Sequence, residues 1–171
     1  MKLRYSFVFG LPLLGSAASA AELGVKLEIP QLKTAEYHKP YVAMWLEKPD
    51  QSFVANLAVL YDLKKKDNGG TKWLKDMRQW WRKSGRDLQM PVDGVTGATR
   101  APGEHGFAYV PGKAPLAELP AGEYQLVVEA SREAGGREVV KVPFAWPPKS
   151  AQTVSAQGKE ELGNVSVQLK P

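Results

Sequence analysis

The sequence predicts a mainly β protein, an antiparallel two-sheet sandwich of about seven short strands with one amphipathic helix inserted near the middle. Three observations predict it. Several short segments alternate apolar and polar residues with period two, which sends every second side chain into a core. Gly- and Pro-rich breaks separate those segments. Only one stretch, residues 72–83, carries its apolar residues at helical spacing.

Leu23 to Ile29 alternates strictly and stops at Pro30. Tyr41 to Glu47 begins after Pro40 and ends before Pro49, and Phe53 to Tyr61 is rich in Val and Leu. Asp67-Asn68-Gly69-Gly70 then breaks the chain. In 72–83, Trp73, Leu74, Met77, Trp80 and Trp81 form one apolar stripe with Lys, Arg, Asp and Gln opposite. Ser84-Gly85 supplies a stop signal. Residues 85–106, rich in Gly, Pro and Asp, read as an ordered loop, so the helical and loop insertion spans about 67–106. Strands return at Phe107 to Val110, Tyr124 to Ala130 and Glu138 to Phe144, the last two joined by a turn at Gly135-Gly136. Pro147 to Lys159 reads as an exposed polar loop, and Asn164 to Leu169 as the final strand.

Residues 1–20 have the pattern of a secretory signal peptide: Lys2 and Arg4, a short apolar run from Phe7 to Leu14, and the small-x-small site Ala18-Ser19-Ala20. Cleavage is expected after Ala20, leaving residues 21–171 as one domain in the periplasm. The apolar run is far shorter than the roughly 20 residues of a membrane-spanning helix. A chain near 150 residues buries about 68–70% of its unfolded surface, so it holds a core without cross-links.

Hydrophobic residues make up 43% and charged residues 24%, which excludes collagen-like and wholly disordered classes. Without cysteine there are no disulfides, thiolate metal sites or thiol nucleophiles, and redox chemistry is left to a cofactor. The formal charge is +5, and the expected mature chain has 21 basic residues against 18 acidic ones, interspersed, so a nucleic-acid partner is not indicated. The run Lys64-Lys65-Lys66 reads as a solvated strand end. No HExxH, EF-hand loop, phosphate-binding glycine loop or GxSxG elbow is present, and the reading leans away from a catalyst. His38 and His105 stand far apart in sequence, and each reads as a surface or structural residue before a metal ligand.

Residues 93–99 read Asp93-Gly94-Val95-Thr96-Gly97-Ala98-Thr99, followed by Arg100. Gly94 and Gly97 lack Cβ and allow close approach, and Thr99 offers the hydroxyl that a phosphoester needs. The segment resembles the D-G-x-[ST]-G-A-[TS] acceptor motif for covalent flavinylation. That motif is known from subunits of the sodium-pumping NADH:quinone oxidoreductase, related electron-transfer complexes and exported flavin carriers. The resemblance implies that a flavin transferase splits FAD and joins the FMN phosphate to Thr99. It implies that Asp93, Gly94, Thr96, Gly97 and Ala98 are what the transferase recognises. Arg100, with its fork of donors, and His105 are candidate phosphate or ring contacts. Trp80 and Trp81, with Trp73, are candidate stacking partners of the flavin, though core packing accounts for the same stripe. The acceptor segment is expected to be a bend with the Thr99 hydroxyl open to solvent.

Further segments resemble a family of predicted periplasmic proteins, domain of unknown function 2271. They are Lys39 to Trp45, Lys72-Trp73-Leu74, Trp80-Trp81, Asp93 to His105, and Leu119 to Tyr124 with Glu129-Ala130. The turn Leu119-Pro120-Ala121-Gly122-Glu123-Tyr124 also looks like that of immunoglobulin-like domains in flagellar hook-capping proteins, which implies an immunoglobulin-like sandwich. A Trp-Asp-Gly turn common in such domains is replaced here by Val110-Pro111-Gly112-Lys113. Two functions follow as expectations. One is an exported electron carrier with FMN on Thr99, served by a periplasmic flavin transferase and a membrane-bound redox partner. The other is a non-enzymatic binding, scaffold or metal-handling module, since a sandwich alone does not select a function.

Overall fold

The computed structural model describes residues 21–171; the expected leader and its cleavage site after Ala20 lie outside the described residues. Among the described residues nine strands form two sheets: β1 Glu22–Ile29, β2 Tyr41–Glu47, β3 Phe53–Tyr61, β4 Thr96–Ala98, β5 Gly103–Tyr109, β6 Gly122–Ser131, β7 Arg137–Trp146, β8 Gln152–Gln157 and β9 Asn164–Lys170. The first sheet has the order β5-β1-β9-β8 and the second β4-β3-β2-β6-β7. Every pairing is antiparallel except that of β4 with β3, which is parallel.

The alternation seen in β1 has a direct outcome. Leu23, Val25, Leu27 and Ile29 all face the inter-sheet core, where Val165, Val167 and Leu169 of β9 meet Val42, Met44, Leu46, Tyr124, Leu126 and Val128 of the other sheet. Each large apolar side chain removed from water there contributes about 1.5–3 kcal/mol. β2 is apolar at almost every position because it is covered on both sides. Its other face, with Val59, Tyr61 and Val127, carries Ala43 and Trp45 into a second core roofed by Leu74, Met77 and Trp80. The Leu-Pro-Ala-Gly-x-Tyr turn is a tyrosine corner: the Tyr124 hydroxyl donates to the Pro120 carbonyl at 2.6 Å, pinning the start of β6.

Four expectations are corrected. The inserted helix is short. Residues Lys66–Asp76 wind as 3₁₀ turns, Met77 breaks the path at φ −77°, ψ 73°, and the α-helix, α1, is only Arg78–Lys83. The physical reason is the buried carboxylate of Glu129. It accepts the backbone N–H groups of Gln79 at 3.1 Å and Trp80 at 2.7 Å, which are the otherwise unpaired donors of a helix beginning at Arg78. The stretch 85–106 is not all loop, since it contains β4 and most of β5. The 147–159 stretch likewise contains β8, whose Val154 and Ala156 pack against the main core beside β9. The sandwich therefore has nine strands rather than about seven, and its second sheet is not purely antiparallel.

Candidate functional site

The acceptor-like segment is built as a turn that becomes a sheet edge. Val95 and Thr96 both donate their backbone N–H to the Val92 carbonyl, at 3.2 and 2.9 Å. The Val92 N–H returns to the Thr96 hydroxyl at 2.8 Å, so that hydroxyl is used in closing the turn. Gly94 sits at φ +71°, a conformation that favours glycine, and its N–H lies 3.1 Å from Asp93 Oδ1. Thr96, Gly97 and Ala98 then pair with Val59, Leu60 and Tyr61 of β3. A Cβ on Gly97 would come within 2.8 Å of Leu60 Cδ2, so a larger residue there would have to push the end of the Leu60 side chain aside.

Thr99 follows β4 directly and is partly exposed, with its N–H held by the Tyr61 carbonyl at 3.2 Å. Among the described residues its hydroxyl has no hydrogen-bond partner, in contrast to that of Thr96. Thr99 is thus a residue on a wall, at the end of a strand, rather than at the tip of a bend. The wall belongs to a cavity of about 450 Å³, within the range of about 300–1,000 Å³ usual for ligand sites.

The cavity lies at one end of the second sheet, where the register brings together four segments. Tyr41 opens β2 opposite Ser131 at the end of β6, and Tyr61 closes β3 beside Ala98 at the end of β4. The flanking residues Tyr37-His38-Lys39 and Asp62-Leu63-Lys64 therefore meet, and Trp73 of the 3₁₀ segment closes one side. Aromatic rings and both signs of charge line the space, with Asp76 and Glu133 added to Asp62 against Lys39 and Lys64. Burial pushes the phenols of Tyr37 and Tyr41 above the usual tyrosine range, so both stay protonated at neutral pH.

The remaining candidates fall elsewhere. Trp80 is fully buried in the second core, with its indole N–H donating to Asn56 Oδ1 at 2.8 Å, so it has no open face for stacking. Trp81 is half-buried against Trp80, with ring centroids 6.2 Å apart, and does not line this cavity. Arg100 is exposed and lines a separate cleft with Gly94 to Gly97 and Phe107. His105 lies on β5 in the other sheet, with Nε2 at 2.8 Å from the Ala101 carbonyl. His38 lines the cavity, with Nε2 at 3.4 Å from Glu36 Oε1 and Nδ1 at 3.9 Å from Glu133 Oε2. Among the described residues no group of three His, Cys, Asp or Glu is gathered as a cation site.

Tyr37 and Tyr41 are what a reading of the sequence misses here, while Trp73, one of the three tryptophans named as candidate stacking partners, is the one that lines the cavity. The antiparallel run of β2 and β3 is the signal that could have joined 37–41 to 61–64. Helical periodicity groups Trp73 with Trp80 and Trp81 on one stripe, and it is the break at Met77 that sets Trp73 apart from them.

Among the described residues no helix is long and apolar enough to cross a membrane. A family model described as a predicted periplasmic protein, domain of unknown function 2271, matches residues 22–164. No curated protein and no solved structure matches the chain.

Proposed function

Since the chain belongs to this family of predicted periplasmic proteins, we propose that it is an exported electron carrier whose FMN is joined covalently to Thr99 by a periplasmic flavin transferase. The observation that carries the reading is the Thr99 hydroxyl. It ends an acceptor-like segment matching every fixed position of the motif, has no competing hydrogen bond among the described residues, and sits on the wall of an aromatic cavity. Thr96, the other hydroxyl in the segment, is engaged in the turn. Asp93 and Gly94 are exposed and Arg100 follows the acceptor, so the segment offers its backbone and one carboxylate to an approaching catalyst.

The attachment is a phosphoryl transfer without net oxidation. The Thr99 oxygen forms a bond to the FMN phosphorus of FAD and the pyrophosphate P–O bond breaks. AMP leaves with that electron pair, and the hydroxyl proton passes to the transferase or solvent. Flavin supplies reversible electron uptake once attached, and a tether prevents its loss outside the cytoplasm. The chain's part is to hold the ring and set its surroundings, while a membrane-bound redox partner supplies or takes the electrons.

The test is intact mass after co-expression with a flavin transferase. Wild type and Thr96→Ala should gain one FMN-sized increment, and the protein should be yellow on a denaturing gel. Thr99→Ala should gain nothing. A wild-type mass equal to that of the bare processed chain under full loading ends the proposal.

A further inference from the structure

Resting on the reading of Thr99 as acceptor, we propose that the cavity beside it is the seat of the isoalloxazine ring, with Trp73 as the stacking face and the Tyr37 hydroxyl as a polar anchor. Phe53, Leu63 and Trp73 are the large hydrophobics left exposed among the described residues, and Leu63 and Trp73 both line this one cavity. The Trp73 indole stays 42% exposed where its neighbours Leu74, Met77 and Trp80 are buried, so its surface is open on the cavity side of the segment rather than used in the second core. Lys65 Nζ lies 5.4 Å from the Trp73 ring centroid, which orients the indole by a cation–π contact and makes it an ordered surface. A planar heteroaromatic ring laid on such a face gains offset stacking and covers apolar area that water now wets.

The second observation is independent of Trp73. The Tyr37 hydroxyl is the buried side-chain polar atom without a hydrogen-bond partner among the described residues, and Tyr37 lines the same cavity. An unmade hydrogen bond at a buried group is costly, so its persistence beside a ligand-sized space points to a group that arrives from outside. The carbonyls and ring nitrogens of a flavin are acceptors for a protonated phenol. Because Thr99 is itself part of the cavity wall, a ring tethered to it is held beside the space proposed for it.

Emission from the loaded protein decides the matter, because indole quenches a flavin stacked on it. Wild type carrying the mass increment should emit far less than its own protease-released flavopeptide. Trp73→Ala, a change at an exposed position, should keep the increment and the fold while raising flavin emission several-fold. Tyr37→Phe should leave unloaded protein equally or more heat-resistant, yet shift the flavin absorption band and lower the melting temperature of loaded protein. Loaded wild type that emits like the free flavopeptide, with no change in either variant, overturns the ring seat while leaving attachment intact. Loss of the increment from wild type sinks attachment and the ring seat together.

Discussion

The two outer faces of the sandwich have opposite fates. The first sheet shows water a polar, small-residue surface in which Lys26, Glu28, Thr153, Ser155 and Gln168 line an open groove. The second sheet turns Trp45, Val59, Tyr61 and Val127 outward, where the β3–β4 connection covers them. The difference teaches where a site can form. A face built for water closes no cavity, and a face fully roofed leaves none. The second sheet is roofed only in part: Trp80 fills its middle, and at the end near Tyr41 and Tyr61 the roof stops at Trp73. The 450 Å³ cavity with Thr99 in its wall is what remains there.

The largest effect that should sharpen the comparison comes from the roof. Trp80→Ala removes a fully buried indole and one of the two donors to Asn56 Oδ1, leaving only the Ser84 hydroxyl at 3.1 Å, and is expected to cost about 3–5 kcal/mol in denaturant unfolding. A loss below 1 kcal/mol in that measurement, on the scale of about 3–5 kcal/mol for such truncations, means the roof is not packed as described.

A middle-sized effect tests the seam between the sheets. The Glu138 carboxylate on β7 accepts the N–H groups of Lys159, Glu160, Glu161 and Leu162 just before β9. Burial raises its pKa and those four donors lower it; the donors prevail, and it lies below the usual glutamate range. A folded-state pKa below the unfolded one means that this stabilisation is fully present above the unfolded value. It is lost as pH falls through the folded one. Glu138→Gln should therefore cost about 2 kcal/mol at pH 7 and progressively less in acid. Parallel stability–pH curves for the two proteins would remove Glu138 from this role.

The smallest effect belongs to the bare face. Ser155→Ala, exposed on β8, should stay within about 0.5 kcal/mol of wild type in the same denaturant titration. A larger loss shows that this face is covered by something after all.

Much of this was legible residue by residue. Leu23 to Ile29 reads as a half-buried strand because its period is exactly that of the pleat, and it is one. β8 was harder: Val154 and Ala156 alternate with Thr153 and Ser155, but an edge strand with small apolar side chains resembles a polar loop. β4 has only three residues, two of them Gly97 and Ala98, and no periodicity can announce it. Of the site, Asp93 to Thr99 stands out in the chain as written, whereas the companionship of Thr99 with Tyr37 does not, and Trp73 is named there only together with Trp80 and Trp81.

The order of residues by itself determined the strand periodicity behind the sandwich, the acceptor-like segment and the Leu119 to Tyr124 turn, because each depends on spacing within a few neighbours. Tertiary structure alone decided that Glu129 starts the helix at Arg78, that Trp80 is roof and Trp73 rim, and that Thr99 borders a cavity. Those outcomes depend on contacts between residues far apart in the chain, such as Trp80 with Glu129. Local periodicity carries no information about which distant group will claim a side chain or a backbone N–H.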